Sequence, residues 1–278
     1  MEKIGLIAGR GNFPILFAQE AGKSGYALTA VGVRANTRKS LGKYADKLYW
    51  IKVTEFRRII DIFRQENISK VAMAGQINPR LLFNPKVMNH PDVQDFFGKI
   101  QDRRADTVFK AFAGKLQDAG LTLLDSTSFL SKHIPVDALL TKRAPSPDES
   151  ADIRFGFKIA KHLGDMDIGQ SVCVKNGVVL AVESIEGTDN TVRRAAALVN
   201  SALWRKGRAR PAIVLVKVSK PSQDMRFDVP VVGLATIKNL PGGSCLAIEA
   251  GRTLFLDMDR AVGLANKKAI TITALSQV

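Results

Sequence analysis

The sequence predicts an α/β protein: a Rossmann-like amino-terminal domain, then a second α/β domain with a mixed sheet, with the active site in the cleft between them. Three observations predict it. Before about residue 125, short apolar runs alternate with amphipathic stretches, the pattern of right-handed βαβ units. Between Asp125 and Glu149 the composition shifts towards Pro and Ser, and a hairpin signal lies beyond that segment. A chain of 278 residues can bury two modest cores, here divided as residues 1–130, a linker at 131–147, and 148–278.

Taken in order, Lys3 to Ala8 is an apolar run that leads into Gly9-Arg-Gly-Asn-Phe-Pro14 and a helical segment, Ile15 to Lys23, closed by Gly25. Strand, glycine turn and helix start together can cradle a phosphate, because backbone N–H groups and the helix dipole both favour an anion. Gly9, Gly11 and Asn12 are therefore candidate substrate contacts. Pro14 stands where a dinucleotide fingerprint needs its third glycine, although proline suits a first helical turn. The second strand, Ala27 to Val33, ends in Arg34, where a nicotinamide-binding fold would place an acid for the ribose. Arg34 counts against NAD but would suit the 2′-phosphate of NADP, so an NADP-dependent oxidoreductase is the alternative reading, with the missing third glycine against it.

Leu48 to Val53 reads as a third strand. Thr54 to Gln65 carries Phe56, Ile59, Ile60 and Phe63 at helical spacing, with Thr54 as its expected cap. Lys70 to Gly75 is a fourth strand that brings Gly75 and Gln76 to the same edge as the Gly9 turn if the strands run parallel. An irregular stretch comes next, then helices near Asp92–Gln101 and Asp106–Ala119, a stop at Gly120, and a last strand at Leu121–Leu124. The second domain opens with a helix from Pro147 to His162, stopped by Gly164. Ser171 to Lys175 and Val178 to Glu183 flank Asn176-Gly177, the strongest short-range hairpin signal there is. A helix is expected from Thr191 to Trp204, capped by Thr188 or Asp189. Strands near 212–218, 242–248, 253–256 and 269–273, with a helix from Asp257 to about Lys267, complete the domain.

Composition narrows the function. Forty-one basic against 26 acidic residues leave a net charge of +15, which draws anionic partners without choosing among nucleic acid, phospholipid and nucleotide. No helix-turn-helix, RNP or zinc-finger pattern is present and aromatics are few, so a nucleic-acid partner is not expected. Cys173 and Cys245 stand far apart in apolar stretches, and the three histidines are scattered, so a transition-metal site is not expected either. The amino terminus lacks a signal-peptide layout, and no window approaches the roughly 20 apolar residues that cross a bilayer. A cytoplasmic protein with peripheral membrane contact is the expectation. The oligomeric state is open, a homodimer included.

The densest chemistry lies downstream of the apolar run Ala212 to Val218. Within twelve positions come Lys217, Lys220, Gln223, Asp224, Arg226 and Asp228. Cations neutralise phosphate oxygens and carboxylates hold a hard metal, so the mixture suits a phosphorylated substrate handled with a hard metal ion. Glu183 and Glu186, just before a predicted helix start, add two further carboxylates.

The run Lys220-Pro-Ser-Gln-Asp-Met-Arg-Phe-Asp228, continuing through Pro230 and Gly233 to Thr236, resembles the UDP-2,3-diacylglucosamine pyrophosphatases of the LpxI type. Gly5 to Pro14, and Asp167-Ile-Gly-Gln170 leading to Val182 through Asp189, are similar to the same family, in order along nearly the whole chain. Arg10 departs from the family's more glycine-rich turn. The resemblance implies a two-domain cytoplasmic enzyme of lipid A synthesis at the inner face of the inner membrane. Such enzymes use magnesium to direct water at the α-phosphorus of a lipid-linked UDP-sugar, yielding UMP and a diacylated glucosamine 1-phosphate. It implies that Asp228 is the required aspartate, holding metal or orienting water. In that setting Gln223 and Lys220 are expected to join it in catalysis, and Glu183, Glu186 and Asp224 in metal binding. Gly9, Gly11, Asn12, Gly75, Gln76, Thr188, Asp189, Lys217, Arg226 and Thr236 are the expected substrate contacts, and the basic surplus is expected to meet an anionic membrane surface.

Overall fold

The amino-terminal apolar runs pair side by side, all in one direction. In the computed structural model, which describes residues 1–201 and 211–276, β1 (Lys3–Ala8) lies between β2 (Ala27–Val33) and β4 (Lys70–Ala74). Outside these lie β3 (Lys47–Ile51) and β5 (Thr122–Leu123), and every pair is parallel, in the order β3-β2-β1-β4-β5. This is the doubly wound, Rossmann-like order, in which the chain reverses its direction of growth between β1 and β4. Nearly every residue of β2 is buried, as befits a strand covered on both faces. Helices α1 (Phe13–Lys23), α2 (Arg58–Gln65), α3 (Pro85–Met88), α4 (Pro91–Phe97) and α5 (Ala105–Asp118) accompany the sheet. One core cluster joins Ile7, Val31, Ile51, Phe63, Val71 and Leu116. Emptying such a site, Phe63→Ala for instance, costs about 3–5 kcal/mol.

Three details of this half differ from expectation. Thr54 caps no helix: Val53–Glu55 forms a 3-10 turn, the Glu55 carboxylate accepts the Lys52 N–H at 2.7 Å, and α2 starts only at Arg58. The stretch after Gly75 is less irregular than its prolines suggest, because Asn78 and Asn84 cap a 3-10 turn at Pro79–Phe83 and the short α3 through their side chains. Helix α4 stops at Phe97, short of Gln101, with Gly98 at its end.

The later half builds a six-stranded sheet in the order β6-β13-β11-β9-β7-β8. Its parallel centre is β9 (Val214–Lys217), β11 (Cys245–Glu249) and β13 (Thr271–Leu275). Antiparallel edges come from β6 (Ala138–Leu139) and from the hairpin of β7 (Ser171–Lys175) with β8 (Val178–Val182). A separate parallel pair joins β10 (Val231–Gly233) to β12 (Leu254–Leu256). Around them stand α6 (Pro147–Asp165), α7 (Thr188–Val199), α8 (Leu234–Asn239) and α9 (Met258–Lys267). The mixed sheet is as expected, and so is the hairpin turn, where Asn176 and Gly177 have φ of 51° and 73°.

Here too some termini move. Gly164 does not stop α6, which runs to Asp165; a Cβ on Gly164 would meet the Lys220 backbone at 3.3 Å, so its smallness serves packing. Helix α7 begins at Thr188, earlier than Thr191, with Gly187 at its cap position, and neither Thr188 nor Asp189 caps it. The predicted end of that helix at Trp204 lies outside the described residues. Among the described residues no helix is long and apolar enough to cross a membrane.

The contacts gather into two compact units, Met1–Ser131 with Asp224–Asp228, and Lys132–Gln223 with Val229–Val278. The acidic, basic stretch singled out from sequence is thus where the chain enters the first unit and leaves it again.

Candidate functional site

Because the first sheet is parallel, the carboxyl ends of its strands share one edge, and there the loops after β1 and β4 cross. The Gly9 N–H donates to the Ala74 carbonyl at 2.7 Å, and Arg10 and Gln76 bridge each other through their backbones. A Cβ on Gly9 would lie 2.7 Å from the Gln76 carbonyl oxygen, and one on Gly75, whose φ is 85°, 2.5 Å from that of Arg10. The crossing itself therefore requires both glycines. Gly11 has φ of 99° and open space around it. Asn12 holds the cap position of α1 but its side chain caps nothing. Gly9, Gly11, Asn12, Gly75 and Gln76 are thus brought to one edge of the sheet.

The segment Asp224–Asp228 docks on the same unit. The Ser126 N–H donates to the Met225 carbonyl at 3.0 Å, and the Ser126 hydroxyl reaches the carbonyls of Arg226 at 2.7 Å and Met73, in β4, at 2.5 Å. Phe227 is buried, stacks on Phe109 with ring centroids 5.6 Å apart, and joins the core of the first sheet. Inside the segment the Asp228 N–H donates to the Asp224 carbonyl at 3.0 Å, which ties the two acids across one turn. Arg226 grips the Asp224 carboxylate with a two-pronged contact, Nε to Oδ1 at 2.9 Å and a terminal nitrogen to Oδ2 at 2.6 Å. That guanidinium holds the Asp224 carboxyl below its ordinary range, and the Arg226 pKa is raised in turn.

The remaining candidates belong to the second unit and form separate groups. Lys217, at the end of β9, donates to the Thr188 hydroxyl at 2.7 Å and to the Glu183 carboxylate at 3.3 Å; the Ser171 and Thr188 hydroxyls donate to Glu183 at 2.5 and 2.7 Å. Lys217 is 5% exposed and Glu183 8%. Burial works to raise the Glu183 pKa, but the Lys217 charge and the two hydroxyls outweigh it and hold the carboxyl below its ordinary range. Glu186 lies apart, with Ser184 at 2.5 Å and Arg194 at 2.7 Å; burial again opposes them, yet its pKa falls to about 2. Asp189 accepts from the Thr236 hydroxyl at 3.0 Å. Lys220 is buried in an ion pair with Asp167, and its backbone N–H donates to the Gln223 side chain at 2.7 Å.

Sequence reasoning passed over several residues that build these arrangements. Ser126, Ser171 and the Lys161–Glu249 ion pair at 2.7 Å carry no local signal, since every one of their partners is distant in sequence. Gly169 had one: it sits in Asp167-Ile-Gly-Gln170, and a Cβ there would collide with the Glu183 carbonyl. Both cysteines are buried, and burial pushes each thiol up to about 12, which leaves them unreactive.

Among the described residues no three His, Cys, Asp or Glu side chains stand together as a metal cage. The carboxylates of Asp224 and Asp228 share one turn, Glu183 is enclosed by its own partners, and Glu186 is paired with Arg194. Asp228 and Asp224, on the same turn, would be the residues to hold a cation shared with the oxygens of a bound phosphate.

The two halves match two family models, the LpxI N-terminal domain over residues 3–133 and the LpxI C-terminal domain over 136–273. This chain belongs to the LpxI family. A UDP-2,3-diacylglucosamine pyrophosphatase LpxI from Caulobacter vibrioides is 31% identical over 273 residues, 96% of this chain and 95% of that one. Among solved structures the chain is similar to the biotin carboxylase subunit of pyruvate carboxylase, at 15% identity and a TM-score of 0.27 over 71% of this chain. It is similar too to N5-carboxyaminoimidazole ribonucleotide synthetase from Thermotoga maritima, at 20% identity and a TM-score of 0.24 over 62% of this chain. It spans only 41% and 38% of those two chains, and likenesses this slight carry nothing about the LpxI site.

Proposed function

We propose that the protein is a magnesium-dependent hydrolase that cleaves the pyrophosphate of UDP-2,3-diacylglucosamine, releasing UMP and 2,3-diacylglucosamine 1-phosphate in lipid A biosynthesis. The observation that carries this is the 31% identity, over 96% of the chain, to the Caulobacter vibrioides protein that bears that activity in its name. The geometry agrees with it. Asp224–Asp228 is a short turn anchored on the first unit, where a carboxylate at 228 can orient water towards the α-phosphorus, and Arg226, paired with Asp224 on the same turn, is assigned to meet charge growing on the phosphoryl oxygens. Magnesium, when bound, supplies Lewis-acid polarisation of the phosphate. Asp228, with Asp224 on the same turn, is the residue we assign to hold it. Gln223 and Lys220, immediately upstream, are assigned to position phosphate or water.

The net charge of +15 suits work at an anionic lipid surface, since each Lys or Arg close to such a surface contributes about 1 kcal/mol of attraction. Peripheral binding on the cytoplasmic side is part of this reading, and vesicles with acidic lipids are expected to bind the protein where neutral ones bind it poorly. The deciding experiment is incubation with UDP-2,3-diacylglucosamine with and without Mg2+, scoring UMP. Magnesium-dependent release is expected. No release in either condition, or release unaffected by chelation, overturns the reading.

A further inference from the structure

Where β9 ends, the backbone leaves its sheet and needs new partners. The Val218 N–H still donates across to the Gln170 carbonyl at 3.0 Å, but Ser219, which is buried, takes its partners from two charged side chains. Its N–H donates to the Glu249 carboxylate at 2.6 Å, and its hydroxyl donates to the same oxygen at 2.8 Å. Its carbonyl accepts from the Lys161 ammonium at 2.9 Å, and that ammonium is paired with both oxygens of Glu249, at 2.8 and 2.7 Å. A buried N–H and a buried C=O must both be satisfied, and a bond to a charged group is roughly twice as strong as one between neutral groups. One ion pair thus holds both backbone groups of a single residue.

The residue so held is the last before the motif. Lys220 follows it, also buried, with its ammonium on Asp167 and its N–H on the Gln223 side chain at 2.7 Å. Its backbone lies against Gly164, where a Cβ would come within 3.3 Å of the Lys220 Cα. Lys161 and Gly164 stand three residues apart on α6 and so share a face, one reaching the Ser219 carbonyl and the other making room for Lys220. Pro221 and Ser222, next along the chain, are exposed, so the grip ends where the motif meets solvent. The side chains of Lys161 and Glu249 are 28% and 13% exposed. An ion pair so far withdrawn from water adds little net stability, and an apolar pair could fill its space. What an apolar pair cannot do is hold a donor and an acceptor on the same residue.

We propose that Lys161 and Glu249 are positioning residues for the hydrolysis, acting through Ser219 to fix the point and the direction at which Lys220 and Gln223 leave the sheet. The proposal rests on the pyrophosphatase reading above and adds to it two residues distant from the motif in sequence. A misplacement of about 1 Å in groups that serve the reacting atoms can cost on the order of 100-fold in rate. So small a shift leaves the fold intact.

The test compares the full-length protein with its Lys161→Met variant and with the charge swap Lys161→Glu/Glu249→Lys, measuring kcat and KM for UMP release, the melting temperature, and amide hydrogen exchange. Lys161→Met is expected to lower kcat about 10–100-fold while KM stays within about threefold. Exchange should quicken about tenfold or more at the amides of Ser219 to Gln223 and stay as in the parent along β9 and β11. The swap restores an ion pair but turns a carboxylate towards the Ser219 carbonyl and an ammonium towards its N–H. It should therefore melt above Lys161→Met and still turn over no faster, whereas a pair that serves stability alone would recover both together. Recovery of kcat in the swap, kcat within about threefold of the parent in Lys161→Met, or exchange that is unaltered or spreads through β9 and β11, overturns the proposal. Methionine keeps the length of the lysine stem, so Lys161→Met carries the test even where the swap fails to fold. A parent protein that releases no UMP removes the pyrophosphatase reading; the exchange arm needs no activity and decides separately whether the pair holds the motif.

Discussion

Lys217 and Asp224 are near neighbours in sequence and opposite in circumstance. Lys217 ends a buried strand, and its ammonium, the Glu183 carboxylate and the hydroxyls of Ser171 and Thr188 satisfy one another inside the second unit. Asp224 opens a turn on the first unit, its charge matched by Arg226 at the surface, with Asp228 one turn away. The residue types are alike, an acid and a base with polar company. What separates them is water. A buried pair that loses one member strands the other without solvation, whereas a surface turn can exchange a partner for ligand or solvent at little cost. The buried group has the surroundings of framework, and the turn nearer the surface is where we propose the chemistry.

The sharpest way to break this contrast is Asp228→Ala, expected to cut UMP release at least 100-fold while the melting temperature holds, both measured on one preparation. Retained turnover would move the chemistry elsewhere. Next in size is Lys217→Met, which leaves the Glu183 carboxylate buried without its cation. A loss of about 3–5 kcal/mol in denaturant unfolding is expected, with part of it recovered when Glu183→Leu is added. A single variant as stable as the parent would show that water reaches the pair.

Acid sharpens the comparison. The folded Glu183 carboxyl lies below its ordinary value of 4.5, so the stability it contributes is fully present above pH 4.5 and is lost as the pH falls through the lower, folded-state value. Unfolding free energy should decline below that pH, and Glu183→Gln should flatten the decline; an unaltered slope would assign acid sensitivity to other carboxylates. The smallest effect belongs to the anchor of the exposed turn. Ser126→Ala removes the hydroxyl shared between Met73 and Arg226, with about 1 kcal/mol of stability and a several-fold fall in kcat expected. Equal kcat in that variant would mean that Phe227 alone seats the segment.

Local patterns carried most of the fold. Asn176-Gly177 specified a hairpin because few dipeptides accept two successive positive φ values, and the alternating runs up to Leu123 specified a parallel sheet. Patterns failed where a residue's partner lies far along the chain. Thr188 looks like a cap, but Gly187 holds that position and the Thr188 hydroxyl is engaged by Lys217 and Glu183; Gly164 looks like a helix stop, and instead makes room for Lys220. The motif Asp224–Asp228 could be read as acidic and basic, yet nothing in it announces Ser126 or Phe109, about a hundred positions upstream, as the residues on which it rests.

The excursion of five residues from the later half into the earlier one bears on how the gene can be divided. A polypeptide ending near Ser131 would keep all five strands of its sheet and still lack Phe227, leaving the ring of Phe109 bare to solvent. Split versions of the protein should therefore be joined by supplying that short strap in trans, and a synthetic peptide spanning it is the natural first complement to try.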